Sequence, residues 1–195
     1  MDASVTPMAN PLWAPWRMDY ILAPKDQKEC IFCGIDRANE EERRARLVVA
    51  TTPRAFVMLN RFPFASGHLL VVPYDHTDSL ELLDEEDYDA LFRLVRQSTT
   101  KLRAAIKAEG FNVGINLGAC AGAGVASHVH VHVVPRWSGD TNFMPVVADT
   151  RVIPQALEET RDYLEPYFRY VQDRPSSAGG GPATLPRMST RDPTP

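Results

Sequence analysis

Three histidines, His128, His130 and His132, alternate with valines in one short run of the sequence. Side chains of a β-strand point alternately to its two faces, so this spacing predicts a strand from Ser127 to Val134 with all three imidazoles on one face. The valines then point to the other face, against a helix or the core. Because three of the chain's five histidines lie on this strand, and each buried imidazole needs a polar partner, the pattern predicts a functional site.

The rest of the sequence predicts an α+β fold with an antiparallel sheet of about five strands. Short runs rich in Val, Leu and Phe, separated by turn residues, indicate the other strands. These predicted strands are Leu47–Thr52, Ala55–Asn60, His68–Val72 and Phe111–Leu117. Apolar residues that recur every three or four positions, behind an acidic first turn, predict one long helix. The predicted helices are Ile35–Arg46, Asp84–Glu109 with Gly110 as its terminator, and Pro154–Gln172.

One domain, residues 29–173, is expected between two segments of different composition. Residues 1–28 are rich in Pro and Trp without a clear period and predict an extended arm, anchored by Trp13, Trp16 and Tyr20. Residues 174–195 are rich in Gly, Pro, Ser and Thr and poor in large apolar side chains, which predicts a disordered tail.

Charge and hydropathy limit the partners that we expect. The net charge of −4 offers no general attraction for nucleic acid or an anionic membrane, so a phosphate site must be built locally. No stretch approaches the roughly 20 apolar residues of a membrane span, and the first residues do not form a secretory signal pattern. We therefore expect a cytoplasmic protein without nucleic-acid or membrane partners.

Two chemistries fit three imidazoles on one strand face. In the first, the histidines bind a catalytic metal, which usually requires a carboxylate ligand nearby. Glutamate is absent from His132 until Glu158, and the nearest aspartate, Asp140, lies in a glycine-containing loop. In the second, one neutral imidazole is a nucleophile, held in the right tautomer by a hydrogen bond at its other nitrogen.

A glycine-rich loop, residues 118–126, favours the nucleophile. Gly118, Gly122 and Gly124 let backbone N–H groups approach an anion closely and surround phosphate oxygens. Such a loop alone is often only a turn, but beside three histidines it indicates phosphate binding. Arg136, directly after the predicted strand, is either a cation for phosphate or one half of a surface salt bridge.

The run HVHVHVVPR resembles the motif of the histidine-triad (HIT) superfamily, and the similarity extends from about Cys30 to Met144. It includes GHLLVVPYDH at residues 67–76 and NVGINLG at residues 112–118. The segments NPLWAPWRMDYI, NLGACAGAG and PRWSGDTNFMP make the chain most similar to the bacterial diadenosine tetraphosphate phosphorylase branch. The resemblance implies a HIT-like fold and a homodimer whose strands extend across the interface, or a homotetramer.

The resemblance also implies roles for single residues. His130 becomes the nucleophile that attacks the α-phosphorus and forms a nucleotidyl-histidine, with its other ring nitrogen oriented by a backbone carbonyl near His132. His132 binds phosphate oxygens and assists the leaving group, and His128 completes the catalytic triad. The expected nucleotide- and phosphate-binding residues, with those of the loop, are Asn60, Asn116, Gly122, Gly124, Ser127 and Arg136. For His68, a packed or hydrogen-bonded imidazole is favoured over a catalytic one.

Cys30 and Cys33 form a C-x-x-C pair, which in a reducing compartment indicates metal or redox chemistry, or simply two buried thiols. In zinc-containing branches of the superfamily the other ligands are a histidine of a P-x-x-H segment and the first triad histidine, and His76 and His128 match those positions. The resemblance therefore implies a structural Cys2His2 zinc site with no open position for catalysis. No organic cofactor is expected.

The acceptor of the nucleotidyl group is open. Many hydrolase and phosphoramidase members carry Gln four residues before the first triad histidine, where this chain has Gly124. Gly124 cannot fix a water with a side-chain amide, which leaves room for inorganic phosphate. We expect phosphorolysis of diadenosine tetraphosphate to ATP and ADP. The alternatives are a dinucleoside polyphosphate hydrolase, a nucleoside phosphoramidase, a non-catalytic nucleotide-binding module and a metal-dependent enzyme.

Overall fold

The computed structural model describes residues 30–140 and 156–172. Its strands are β1 (Val48–Thr51), β2 (Ala55–Leu59), β3 (Leu69–Pro73), β4 (Gly110–Ile115) and β5 (Val131–Arg136). Its α-helices are α1 (Glu40–Ala45), α2 (Glu85–Ile106) and α3 (Leu157–Phe168). The strands form one antiparallel sheet in the order β1-β2-β3-β5-β4. The predicted α+β fold, with about five antiparallel strands, a long helix and a C-terminal helix, is confirmed.

The two faces of the sheet carry different clusters. Alternate residues of β2, β3 and β5 meet α2 and α3 in the main core, which includes Val57, Val71, Val133, Leu94 and Leu164. A smaller cluster lies on the opposite face, where residues of the turn after Cys30 cover the sheet. The members of this second cluster are Phe32, Ile35, Val48, Phe56, Met58, Leu70 and Val72. The histidine His132 pairs with Leu70 of β3, so it points to the second face.

The long helix α2 is specified at both ends. Asp84 caps its first turn by accepting a hydrogen bond from the Asp87 amide, and three acidic residues follow, as the helix dipole favours. The predicted end at Glu109 is wrong, because the helix stops at Ile106 and Lys107 adopts a left-handed conformation with φ 55°. The Glu109 amide instead donates to the Arg136 carbonyl at 2.9 Å, and Gly110 begins β4.

The predicted helix Ile35–Arg46 is also shorter than expected. Turns occupy residues 31–37, where Gly34 has φ 81°, and α1 begins only at Glu40. Asn39 and Glu42 form a reciprocal capping box at this point, which fixes the start of the helix.

The histidine strand differs from the prediction in its starting point. β5 begins at Val131, whereas the alternation predicts a strand from Ser127. The β3–β5 ladder ends at the pair Val71 and Val131, close to Pro73, which has no N–H to donate. Side-chain alternation continues beyond the ladder, because Val129 is buried in the main core together with Val131.

Helix α3 packs beside β1 at one edge of the sheet. The guanidinium of Arg161 is almost fully buried there, and its Nε donates to the Val48 carbonyl at 2.9 Å. Ion pairs with Glu40 at 3.2 Å and Glu165 at 3.5 Å hold the same group. A backbone acceptor of the edge strand is therefore occupied by a side chain. At the other edge, β4 has no further strand beside it in the described part of the chain.

Several predictions lie outside the described residues. They concern the arm of residues 1–28, the tail of residues 174–195 and the predicted helix start at Pro154. Within residues 30–140 and 156–172, no helix combines the length and the apolar character that crossing a bilayer demands.

Candidate active site and metal centre

His130 has the geometry of an oriented neutral nucleophile. Its Nδ1 lies 2.9 Å from the carbonyl oxygen of His128, and since a carbonyl only accepts, Nδ1 carries the proton and donates. The lone pair is therefore on Nε2. Burial lowers the pKa of His130 below its ordinary value, so the imidazole is neutral at pH 7. The resemblance implied a backbone carbonyl near His132 as the partner of this nitrogen, whereas in the structure the partner is the carbonyl of His128.

His132 is held in the opposite tautomer by a chain of hydrogen bonds. The Phe64 amide donates to Nδ1 of His68 at 3.1 Å, which leaves the His68 proton on Nε2. Nε2 of His68 then donates to Nδ1 of His132 at 3.0 Å. In neutral His132 the proton is consequently on Nε2. Burial, with a smaller effect of His130, lowers the pKa of His132 to about 4.

The two neighbouring imidazoles thus carry complementary groups. Their ring centroids lie 5.0 Å apart, with planes inclined by 65°. His130 presents a lone pair on Nε2 and His132 presents an N–H on Nε2. A nucleophile and a hydrogen-bond donor at this spacing fit attack at phosphorus with assistance to a departing oxygen.

The sequence did not define how His68 takes part in this arrangement. It is fully buried, stacks on Phe64 at 5.1 Å, and lies 3.4 Å from the Asn60 amide nitrogen. The sequence favoured a packed or hydrogen-bonded histidine here, which agrees with its position. The feature that brings His132 next to His68 is the pairing register of β3 and β5, which are neighbours in the sheet.

Cys30, Cys33, His76 and His128 converge on one point, and their ligand atoms all lie within 4.8 Å of one another. Sγ of Cys30 is 3.3 Å from Nδ1 of His128, and Sγ of Cys33 is 3.2 Å from Nδ1 of His76. A tetrahedral zinc with ordinary Zn–S and Zn–N bonds sets such sulfur–nitrogen distances at about 3.5 Å. The four predicted ligands therefore fit zinc.

The tautomer of His128 supports metal binding. Its Nε2 lies 3.0 Å from the carbonyl oxygen of Pro73, so Nε2 carries the proton and donates. The lone pair is then on Nδ1, which points at the two sulfur atoms. A carbonyl that accepts from the non-ligating nitrogen is the usual partner of a metal-binding histidine.

The glycine loop connects β4 to the histidine segment. Gly118 and Gly122 have φ angles of 79° and 84°, which favour glycine, and a short 3-10 turn lies between them. The Asn116 amide donates to the Gly122 carbonyl at 3.5 Å, which links the end of β4 to the loop. Gly124 and Ser127 are exposed.

The structure brings Asn116, His132 and Arg136 together in one open pocket of about 410 Å³ on the histidine face, also lined by Phe64 and Val134. Arg136 forms a bidentate salt bridge with Asp140, at 2.5 and 2.7 Å, and donates to Asn112 at 3.0 Å. Of the two interpretations of Arg136, these contacts match the surface salt bridge.

The structure does not place Asn60 in that pocket. It follows β2, and its side-chain oxygen accepts from the Phe62 amide at 2.9 Å. Three apolar residues lie near Asn60 in the sequence: Phe56 and Leu59 are fully buried in the core, whereas Phe62 is 44% exposed. Only Phe62 among the three is open to a ligand.

Comparison with known proteins agrees with this geometry. The family described as HIT domain matches residues 41–139. The chain is 39% identical over 161 residues to AP-4-A phosphorylase of Mycobacterium tuberculosis, an alignment that covers 78% of this chain and 81% of the relative. It is 34% identical to an uncharacterised HIT-like protein of Saccharolobus solfataricus, over 73% of this chain and 92% of the relative.

A solved structure shares the fold. A Zn-bound histidine triad family protein from Mycobacterium smegmatis superposes with a TM-score of 0.52 at 29% identity, and the alignment covers 62% of this chain and 82% of the other. The sheet, the paired imidazoles and these similarities define a histidine-triad protein. The chain belongs to the HIT family, and within it resembles the bacterial diadenosine tetraphosphate phosphorylase branch.

Proposed function

We propose that this protein is a nucleotidyl transferase that cleaves diadenosine tetraphosphate by phosphorolysis, giving ATP and ADP through a nucleotidyl-histidine on His130. The observation that carries the proposal is the opposite tautomers of His130 and His132, fixed by their separate hydrogen bonds. The similarity to AP-4-A phosphorylase of Mycobacterium tuberculosis supports the substrate and the acceptor.

In the first half-reaction, the Nε2 lone pair of His130 attacks the α-phosphorus of the dinucleotide. A nitrogen–phosphorus bond forms, and the bond from the α-phosphorus to its bridging oxygen breaks, with ATP as the leaving group. His132 donates a hydrogen bond from Nε2–H to that oxygen as negative charge develops there, and keeps its proton. The positive charge on the substituted His130 ring is stabilised by its Nδ1–H bond to the His128 carbonyl.

In the second half-reaction, inorganic phosphate attacks the α-phosphorus of the nucleotidyl-histidine. The nitrogen–phosphorus bond breaks, its electron pair returns to Nε2 of His130, and ADP is released. The backbone N–H groups of the glycine loop and the side-chain amide of Asn116 are neutral donors for hydrogen bonds to phosphate oxygens. Gly124 is exposed and carries no side chain that could hold a water, which favours the larger acceptor.

We further propose that Cys30, Cys33, His76 and His128 hold a structural zinc. The fit of their ligand atoms and the tautomer of His128 support it. When bound, zinc supplies a cross-link between distant parts of the chain. All four ligand positions would then be filled by protein, which leaves none open for a substrate, so His130 and His132 do the chemistry.

For the assembly we propose a homodimer formed through β4, or a tetramer built from such dimers. β4 has no neighbour on one side in the described ranges, and Val113 on it is 47% exposed. Exposed edge strands readily pair with a second copy. The thiols required for metal binding favour a reducing compartment, so we propose a cytoplasmic location.

Product analysis tests the proposed reaction. The purified protein is incubated with diadenosine tetraphosphate, with and without inorganic phosphate, and nucleotides are separated by chromatography. ATP and ADP formed only with phosphate are expected. ATP and AMP formed without phosphate would make the protein a hydrolase, and no turnover would leave a binding module or a phosphoramidase. His130→Ala is expected to be inactive, and turnover by this variant would contradict the covalent role.

A further inference from the structure

The segment His128–His130 carries the nucleophile but does not belong to the sheet. The β3–β5 ladder stops at Val131, whereas His132 lies inside it. The position of His132 is therefore set by regular strand pairing. The position of His130 must be fixed by other contacts.

These contacts come from Pro73, the last residue of β3, and from the stretch that follows it. The Val129 amide donates to the Thr77 carbonyl at 2.6 Å, and Nε2 of His128 donates to the Pro73 carbonyl at 3.0 Å. His76, in the same stretch, and His128 each direct a ring nitrogen at the cysteines. A metal bound by these residues therefore connects the stretch after β3 to the segment His128–His130, at the place where β3 and β5 are no longer paired.

The turn between the two cysteines also reaches the nucleophile directly. Phe32, 2% exposed, lies between them in sequence. Its ring centroid is 5.0 Å from that of His130 and 5.4 Å from that of His128. The same short turn thus supplies two metal ligands and a packed surface for the nucleophilic ring.

We propose that the metal-bound turn Cys30–Cys33 positions His130 for attack, through the His128 carbonyl and the Phe32 ring, and so controls the chemical step as well as the fold. The kinetic part of this inference rests on the proposed function. Cys30, Cys33 and Phe32 are positioning residues, since they act through His130. Without the metal, the His128 ring loses its bond at Nδ1 and keeps its hydrogen bond to the Pro73 carbonyl, so the His128 carbonyl that keeps the proton of His130 on Nδ1 is held less firmly.

The effect should appear in the rate and not in substrate binding. Loss of a group that orients a neighbouring ligand or catalytic side chain typically costs 10- to 100-fold in activity. We expect the rate of ATP release in a single turnover to fall by about that factor in metal-free protein, with KM for diadenosine tetraphosphate changed less than about twofold.

The experiment uses the full chain, freed of metal with a chelator and then reloaded with zinc. Metal content and circular dichroism establish occupancy and fold. Long-range proton–nitrogen NMR spectra at pH 8 report which nitrogen of His130 is protonated, with His130→Gln identifying the signal. Hydrogen exchange of the Val129 amide reports whether the segment opens. Expected results are a mixed His130 tautomer and faster exchange without metal, both reversed by zinc.

Variants separate positioning from general stability. Cys33→Ser should behave as the metal-free protein, and Tyr170→Phe, at a position that is 76% exposed, should match the wild type. Phe32→Leu keeps all four metal ligands, so it tests the positioning of His130 even if the metal-free chain unfolds. We expect this variant to show a mixed His130 tautomer and slower ATP release. An unchanged tautomer and rate in the folded metal-free protein, or in Phe32→Leu, would overturn the inference. So would a raised KM at constant kcat.

The NMR and exchange readouts need no substrate. If the intact protein does not cleave diadenosine tetraphosphate, the proposed function fails, and the His130 tautomer with and without zinc still decides the inference.

Discussion

Replacing His68 should disable the chemical step by changing the tautomer of a different residue. His68 is fully buried and donates to Nδ1 of His132, which keeps the His132 proton on Nε2. In His68→Leu that donor is gone, and the His132 proton distributes between both nitrogens. The leaving oxygen then loses its donor in a large share of the molecules.

The magnitude follows from what a positioned donor contributes. One preorganised hydrogen-bond donor at developing negative charge contributes about 10²- to 10³-fold, and His132 remains in place, so we expect kcat to fall toward the lower end, by roughly 100-fold. This corresponds to about 2.7 kcal/mol of transition-state stabilisation. The Phe64 amide also loses its acceptor, which should lower the free energy of unfolding by about 1–3 kcal/mol.

The assay compares two substrates and two variants. Diadenosine tetraphosphate needs a donor for its leaving oxygen, whereas the p-nitrophenyl ester of AMP has a leaving group that departs without one. His68→Leu should slow the first strongly and the second weakly. His68→Gln, whose amide can still donate to His132, should retain most of the activity. Equal losses on both substrates, or a Gln variant as slow as the Leu variant, would refute the assigned tautomer.

Three further predictions concern pH, the sheet edge and the core. Because burial lowers the pKa of His132 to about 4, the unfolded chain binds more protons between that value and 6.5. Above pH 6.5 His132 is neutral in both the folded and the unfolded chain, so it takes nothing from the free energy of unfolding. As the pH falls from 6.5 toward 4, protonation of the unfolded chain lowers that free energy by about 3 kcal/mol in all. Urea unfolding in a pH series, compared with His132→Asn, measures this loss. Arg161→Ala should destabilise the protein by roughly 3 kcal/mol in urea, because it leaves buried partners unpaired, whereas Arg169→Ala, an exposed pair with Glu165, should cost under about 1 kcal/mol. Leu94→Ala should cost about 2–5 kcal/mol and Leu82→Ala, 69% exposed, almost nothing; equal midpoints of urea unfolding would contradict the burial of Leu94.

Periodicity predicted the face of the histidines but not where their strand begins. The alternation from His128 to His132 is real, and the valines between them enter the main core. The start at Val131 depends on the partner strand, which ends at Pro73. A sequence pattern describes which way side chains point, whereas hydrogen-bonded pairing depends on a neighbour far away along the chain.

Local signals at helix ends were partly misread. The capping box of Asn39 and Glu42 is visible in the sequence and marks the true start of α1, which the charged run from Ile35 concealed. Gly110 was read as a helix terminator, yet it opens β4, and Lys107 takes the left-handed position. Glycine has both uses, and only the tertiary pairing of Glu109 with Arg136 distinguishes them.

The cluster of cysteines and histidines that could hold a metal was predictable, and the imidazole pairing was not. Cys30, Cys33, His76 and His128 match a motif, and the structure brings their ligand atoms together. The hydrogen bond between His68 and His132 has no sequence pattern of its own, because it joins two strands through their register. The roles of the nucleotide-binding residues stay predictions.

The unequal edges of the sheet limit how this chain can polymerise. At β1, the Arg161 guanidinium occupies the Val48 carbonyl and α3 lies alongside, whereas β4 has no neighbouring strand in the described ranges. A sheet with one receptive edge can join a second copy only through the same edge on both molecules, related by a twofold axis. That contact consumes the receptive edge of each partner. For the described residues, growth by strand addition would therefore stop at two chains, which disfavours fibres built by repeated edge pairing.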